Sequence, residues 1–277
     1  MVDAPVAVVT GASRGAGLGI AHALGDHGCT VYVTGRSDAV HDSAERVTAA
    51  GGTGVAVTVD HADDAQTKAL FDRVAADHGR VDILVNNAAV IRDEMMGRTR
   101  FWEEPIEVAD ILDVGLRSAY VATVYAAPLM LPQRRGLVAF TSAPGAAHYV
   151  FGPAYGVQKA GVDKMAADMA VDFRDFGIAT ASIWMGVLLT ERFKALVASA
   201  PEQLAHLLDN TETPEFTGHV IWALFTDPAV MDKSGRTFIG AELAAEYGIT
   251  DDGDRRPASY RDLHGVHPIP QFDRILR

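Results

Sequence analysis

The chain reads as a doubly wound α/β fold with seven mostly parallel strands flanked by helices, and three observations carry that expectation. Short runs rich in valine, isoleucine and threonine alternate with longer segments of helical periodicity, the pattern of βαβ units. Most of the short runs are continuously apolar rather than alternating, as strands covered by helices on both faces must be. At 277 residues and 48% hydrophobic composition, the chain can bury a sizeable core. Nothing resembles a linker, so residues 1–277 are expected to form one domain.

Taken in order, the candidate strands are residues 6–10, 30–34, 55–59, 83–85, 137–141, 179–184 and 237–239. Between them Ile20, Ala23 and Leu24, then Leu70 and Val74, recur at helical spacing. Pro105 suits a first helical position and predicts a long helix reaching Leu131, closed by Pro132 and kinked in its last turn by Pro128. The clearest helix follows Tyr155, where Val162, Ala166, Met169, Phe173 and Phe176 repeat at three and four residues before Gly177. Residues 187–216, with Leu188, Leu189, Phe193, Leu196, Val197, Leu204, Leu207 and Leu208, read as a substrate-loop region of one or two mobile helices over a cleft. Their apolar character suits a greasy substrate, and core packing explains it nearly as well. Residues 251–277 read as a polar C-terminal extension, packed on the surface or on a partner subunit, or else partly disordered.

Charge and composition exclude several functions. A net charge of -12 argues against a nucleic-acid partner, which needs clustered cations to neutralise phosphates. No membrane span and no basic signal region are evident, so a cytoplasmic location is expected. The single Cys29 rules out an intramolecular disulfide and reads as a buried structural thiol. No metal is expected, because the ten histidines show no paired helical spacing with a third ligand.

The chemistry begins directly after the first strand, at Thr10-Gly11-Ala12-Ser13-Arg14-Gly15-Ala16-Gly17. Gly11, Gly15 and Gly17 allow a tight turn, close backbone approach to a pyrophosphate and tight packing of the following helix, whose N-terminus offers free amides. Between a strand and a helix this is the phosphate-binding turn of a Rossmann-type sheet. A carboxylate ending the second strand would favour NAD(H); the strand ends instead at Gly35-Arg36. Arg14 and Arg36 could together face a 2'-phosphate, so NADP(H) is preferred over NAD(H), unless either arginine is simply a solvated surface residue.

Tyr155 and Lys159 lie four apart on one helix, so the ammonium can reach the phenol and favour its ionisation. Ser142 ends the fifth strand, where ligands of open parallel sheets bind; its hydroxyl could orient a substrate oxygen, or be an ordinary loop serine. His148 and Tyr149 lie between them and either shape specificity or decorate a surface loop. Glu103 and Glu104 point apart at a helix start and are read as solvated.

In order and spacing, Gly11, Gly15, Gly17, Asp60, Asn86-Asn87-Ala88, Ser142 and Tyr155-x-x-x-Lys159 resemble the short-chain dehydrogenases/reductases of the classical type, over roughly residues 5 to 250. That resemblance implies that Ser142, Tyr155 and Lys159 are catalytic. It implies that Ser13, Asp60, Asn86 and Ala88 join the glycine turn in holding the cofactor, with Asp60 at the adenine, Lys159 also at the nicotinamide ribose and Tyr155 also in contact with the cofactor. Gly186, Val187 and Thr190 match the segment that embraces the nicotinamide amide. Residues 34–36, 101–103, 113–117, 155–157 and 182–184, with later segments at Glu242 and Tyr247, are similar to a narrower group in that family, an animal member and its bacterial relatives, which act on lipophilic or xenobiotic carbonyls.

Two departures stand out. Gly115 occupies the position of an asparagine that relays protons to the lysine in most of the family, and Met185 replaces a proline before Gly186. The expected function is hydride transfer between NADP(H) and a small carbonyl or secondary alcohol, in a homodimer or homotetramer. The alternative is a cofactor-binding protein with little turnover. A non-redox use of the fold fits less well, since both the glycine turn and the lysine stand.

Overall fold

In the computed structural model, which describes residues 4–97, 99–272 and 274–276 apart from the side chains of Gln203 and His206, β1 (Val6–Val9) starts a sheet whose seven strands are all parallel. The chain alternates β1, α1 (Gly15–Asp26), β2 (Thr30–Gly35), α2 (Ala39–Ala49), β3 (Thr53–Thr58), α3 (Asp64–His78) and β4 (Ile83–Asn86). The second half runs through α4 (Ser118–Met130), β5 (Gly136–Ser142), α5 (Gly152–Phe173) and β6 (Ile178–Trp184). Two short paired strands, β7 (Val187–Leu188) and β8 (Thr211–Glu212), enclose α6 (Glu191–Ser199) and α7 (Pro201–Leu204). Then come α8 (Phe216–Thr226), α9 (Val230–Lys233), β9 (Arg236–Ile239), α10 (Gly240–Tyr247) and α11 (Tyr260–His264).

The main sheet has the order β3-β2-β1-β4-β5-β6-β9. The order reverses between β1 and β4, which opens a crevice at their carboxyl ends. One apolar layer, including Ile20, Leu24, Val33, Phe216 and Leu224, buries the face under α1, α2 and α8. The other, including Tyr32, Leu70, Leu84, Phe140 and Met130, buries the opposite face under α3, α4 and α5. Cys29 is fully buried, and burial pushes its thiol up to about 12, as an inert structural thiol requires.

The long helix expected from Pro105 is interrupted. A short 3-10 turn (Ile106–Ala109) is followed by a π-type turn (Leu112–Arg117) in which Val114 and Gly115 leave helical geometry, Gly115 at φ +143°. The carbonyl of Val114 is diverted to the amide of Val90 at 3.0 Å, and the Gly115 amide donates to Ser118 Oγ at 3.0 Å. Glycine alone tolerates that backbone. The regular part begins only at Ser118. The run Ile106–Gln133 has the length of a membrane span and contains an 18-residue stretch with a mean hydropathy of 1.2, yet Ala119, Ala122, Ala126 and Met130 pack into the core beneath the sheet.

The C-terminal extension is tied to its own chain as far as α11. Asp251 is buried and accepts from the amide and hydroxyl of Thr213 and from Arg255. Ser259 caps α11 and donates to Glu242, which also binds Arg261. Beyond it, Ile269, Phe272 and Leu276 are exposed.

Candidate active site

The glycine turn is held by backbone geometry and by β4. Gly11 (φ +66°) and Gly15 (φ +56°) are left-handed, and a Cβ on Gly11 would lie 2.7 Å from Ala88 Cα. A Cβ on Gly17 would meet the Gly11 carbonyl at 2.3 Å. Asn87 fastens the turn to the sheet: its side-chain amide donates to the carbonyls of Thr10 and Gly11 at 2.9 and 3.1 Å. Thr10 Oγ1 accepts from the amides of Asn87 and Ala88. No side chain caps the start of α1, so its first amides face the crevice without an acceptor. Such a cradle fits the pyrophosphate of a dinucleotide.

Around it, a Cβ on Gly35 would touch Ser13 at 3.0 Å, so the end of β2 abuts the turn. Arg36 and Arg14 are exposed and form no ion pair among the described residues. Asp60 Oδ1 accepts from the amide of Ala62. Its neighbour His61 is buried and shares a 2.7 Å hydrogen bond with Thr34 Oγ1; burial pulls its imidazole down to about 4, so it is neutral. Asn86 Nδ2 donates to Thr123 Oγ1 on α4, while its Oδ1 is buried without a partner.

Ser142, Tyr155 and Lys159 are brought together where β5 meets α5. Lys159 is buried; its Nζ donates to the Thr141 carbonyl at 3.3 Å and lies 5.5 Å from the Tyr155 ring centroid. Burial pulls the ammonium down to about 8, against the charge of Asp163. Tyr155 is packed by Met95, Val108 and Ile111 and meets the ring of Phe151 edge-on at 5.3 Å. Phe151 is itself left-handed, at φ +54°. Burial drives the Tyr155 phenol above its ordinary value, with Tyr260 adding to the shift, so the lysine does not lower it on balance. Ser142 is fully buried, and its hydroxyl donates to the Lys159 carbonyl across 3.4 Å, a long contact.

Several partners are absent from the sequence reading. Asp163, one turn beyond Lys159, accepts from Ser182 Oγ at 2.6 Å and Trp184 Nε1 at 2.8 Å. Burial raises its carboxyl, while bonds from Ser182 and Trp184, the nearby Ser142 hydroxyl and the Lys159 charge hold it back. Its spacing from Lys159 on the buried face of a helix was the available signal. Gln158 donates to the Gly115 carbonyl at 2.9 Å, and a Cβ on Gly115 would lie 3.2 Å from it, so glutamine fills the space beside this glycine. Glu212 and Tyr260 gave no local signal.

The loop after β6 crosses this site. Met185 donates its amide to the Ser142 carbonyl at 3.2 Å, and Thr190 Cγ2 lies 3.6 Å from where a Cβ on Gly15 would be. Gly186 and Val187 are thus strung between Ser142 and the glycine turn. His148 Nδ1 lies 2.8 Å from the Pro144 carbonyl, and Tyr149 is exposed. No group of metal-ligating residues occurs among the described residues. A groove of about 1570 Å³ between α5, β9 and residues 267–272 and 274–276 contains none of these groups.

A parallel sheet with this switch point, cradle and tyrosine–lysine pair defines an oxidoreductase of the short-chain type, and the short chain dehydrogenase family matches residues 5–201. The chain belongs to that family. It is 38% identical to mouse (Mus musculus) dehydrogenase/reductase SDR family member 1 over 93% of this chain and 86% of that one. The human (Homo sapiens) protein of the same name is also 38% identical, over 96% and 88%. A 3-oxoacyl-(acyl-carrier-protein) reductase of Staphylococcus aureus is 31% identical over 72% of this chain and 80% of its own. Family membership makes the protein a dehydrogenase/reductase that uses a nicotinamide cofactor on a small molecule.

Proposed function

We infer that the protein transfers a hydride between NADP(H) and a carbonyl or secondary alcohol of a lipophilic small molecule, with Tyr155 as general acid/base. The observation that carries this reading is the Tyr155–Lys159 pair on the buried face of α5, with Lys159 bonded to the carboxyl end of β5 at Thr141 and Ser142. Bound along the turn, the cofactor supplies the hydride. Gly11, Ser13, Arg14, Gly15, Gly17, Arg36, Asp60, Asn86 and Ala88 hold its adenosine and phosphate parts in this reading, and Tyr155, Lys159, Gly186, Val187 and Thr190 its nicotinamide end.

In the reducing direction Tyr155 Oη gives its proton to the carbonyl oxygen as the carbonyl carbon becomes sp³. A phenol kept protonated by burial suits that task. Lys159 stabilises the phenolate that is left, and its own value near 8 lets it hand on a proton near neutral pH. Ser142 Oγ exchanges its long bond to the Lys159 carbonyl for one to the substrate oxygen. Gln158, bonded to the Gly115 carbonyl, fills the space beside that glycine.

The apolar packing of Tyr155 by Met95, Val108 and Ile111, with Val150 alongside, supports a lipophilic substrate. Arg14 and Arg36, which form no ion pair among the described residues and lie beside Ser13 and Gly35, support NADP(H) over NAD(H). Exposed Tyr120 and Val124 on α4 and Val157 on α5 support a homodimer or homotetramer, and a cytoplasmic location completes the reading.

The test is titration of the purified protein with NADPH and NADH, followed by cofactor absorbance against lipophilic ketones, aldehydes and quinones. NADPH-dependent turnover abolished by Tyr155→Phe is the expected result. Tight NADPH binding with no turnover on any carbonyl would favour a cofactor-binding role instead.

A further inference from the structure

We propose that Glu212 is a positioning residue whose carboxylate latches the loop 185–190 over the cofactor cradle, taking over the stiffening that a proline at Met185 would give. The proposal rests on the reading of this cleft as a dinucleotide site. It concerns a residue 26 positions away from the glycine it holds.

Glu212 is almost completely buried, and its Oε2 accepts from the amide of Gly186 at 2.9 Å. The carboxylate lies flat against Gly186: a Cβ built there would stand 2.5 Å from Oε1 and 2.7 Å from the carboxyl carbon. The backbone of Glu212 contributes as well, since its carbonyl accepts from the amide of Leu189 at 2.8 Å and its strand pairs with Val187–Leu188. One residue thereby grips both ends of a loop that starts at the Ser142 carbonyl and reaches Thr190 beside Gly15.

Glu212 is in turn held from behind. Thr213 donates its amide and hydroxyl to Asp251, at 2.9 and 2.5 Å, and Arg255 binds both Asp251 and the Thr211 carbonyl. Pro214 packs on α1 so closely that a Cβ on Gly19 would stand 2.3 Å from it. The chain of contacts therefore runs from the C-terminal extension and α1, through Glu212, into the loop. Met185 has a free φ, so the loop has no covalent restraint at that point, and an anchor from outside has to fix it.

Burying a carboxylate for one amide bond is costly, and burial raises this group to about 7. An apolar side chain at this position would avoid that cost while leaving the Gly186 amide without a partner, so the carboxylate's use is to place the loop rather than to stabilise the fold.

The experiment compares wild type, Glu212→Ala, Glu212→Gln, Gly186→Ala and the Glu212→Ala/Gly186→Ala double variant. Two readouts are the rate of limited proteolysis across residues 187–204 in cofactor-free protein and the NADPH dissociation rate by stopped-flow fluorescence. Gly186→Ala acts on the same contact from the other side, because only the far end of the Glu212 side chain stands in the way of the new methyl. Glu212→Ala is expected to speed both cleavage and NADPH release about tenfold, the effect of one charged hydrogen bond. Gly186→Ala should do the same, the double variant should be no worse than either single one, and Glu212→Gln, which keeps an acceptor, should restore near wild-type rates. KM for NADPH should rise while kcat holds or increases. Wild-type rates in Glu212→Ala, or additive effects in the double variant, would overturn the latch. If wild type itself binds no nicotinamide cofactor, the proposed function fails, and the proteolysis rates alone decide whether the latch exists.

Discussion

The two walls of the cleft are built by different physics. On the β1–β4 side the glycine turn is set by left-handed backbone at Gly11 and Gly15 and by contacts that leave no room for a side chain. Its fastener, Asn87, directly follows the neighbouring strand. On the β6 side the loop 185–190 has ordinary backbone and borrows its position from Glu212, Asp251 and Arg255, 20 or more residues downstream. A wall fixed by local backbone geometry is rigid by construction. A wall fixed by remote side chains can open when one bond is released, which suits the side that must let a cofactor in and out.

The largest contrast should come from adding one methyl to each wall. Gly17→Ala drives a Cβ into the Gly11 carbonyl, the Asn87 side chain and Ala12 Cα, none of which can yield. NADPH affinity should fall about a hundredfold or more, the equivalent of about 3 kcal/mol of overpacking. Gly186→Ala meets only the movable end of Glu212, so isothermal titration should show a far smaller loss. Equal losses at the two glycines would end the distinction between the walls.

Next in size is Asp163, whose carboxylate joins β6 to α5 beneath the Tyr155–Lys159 pair. Asp163→Ala leaves the Ser182 hydroxyl and Trp184 indole without their acceptor and removes the charge beside Lys159. Calorimetry should show a loss of about 3 kcal/mol, or a Tm lower by about 8 °C. Asp163→Asn, which keeps an acceptor, should recover most of that stability but move the pH profile. With the neighbouring negative charge gone, Lys159 loses its proton at lower pH, so the limb that tracks it should shift to lower pH.

A smaller effect sharpens the comparison through pH. The Glu212 carboxyl is raised from 4.5 to about 7 by burial and by Asp251, which is itself paired with Arg255; Tyr260 also faces it. A native value above the unfolded one means that the folded protein binds more protons between the two. Its contribution to stability is therefore full below 4.5 and is lost as pH rises through about 7. The difference in Tm between wild type and Glu212→Gln should change across that interval and level off above it. A difference independent of pH would place the charge of Glu212 outside the balance.

The smallest effect belongs to the exposed rim. Arg36→Ala should reduce the preference for NADPH over NADH about tenfold by removing one phosphate partner, and raised ionic strength should mimic it. Comparable affinity for both cofactors in wild type would remove the basis of that expectation.

The same division explains what could be read from the sequence. All seven main strands fall within two residues of where the apolar runs put them, because continuous valine and isoleucine between helical periods can bury themselves in few other ways. The glycine turn and the Tyr155–Lys159 pair were visible because each is complete within eight residues. The helix expected from Pro105 to Leu131 was overestimated: periodicity could not show that the Val114 carbonyl bonds to Val90 instead of continuing the helix. Asp163 and Gln158 neighbour the lysine in sequence, yet their importance depends on Trp184, Ser182 and Gly115 coming to meet them. Glu212, Asp251 and Tyr260 lie in segments whose composition says only polar loop, and it is the fold that carries them to the cleft.

The most direct test is single-turnover oxidation of bound NADPH by a lipophilic ketone or quinone in wild type and Tyr155→Phe, with the cofactor Kd measured alongside. Wild type should oxidise NADPH, and the phenylalanine variant should lose about a thousandfold in rate while its NADPH Kd changes far less, since the proton donor has gone and the other cofactor contacts remain. Equal rates in the two proteins would contradict Tyr155 as the general acid, and no oxidation by wild type with any carbonyl would contradict the reductase itself.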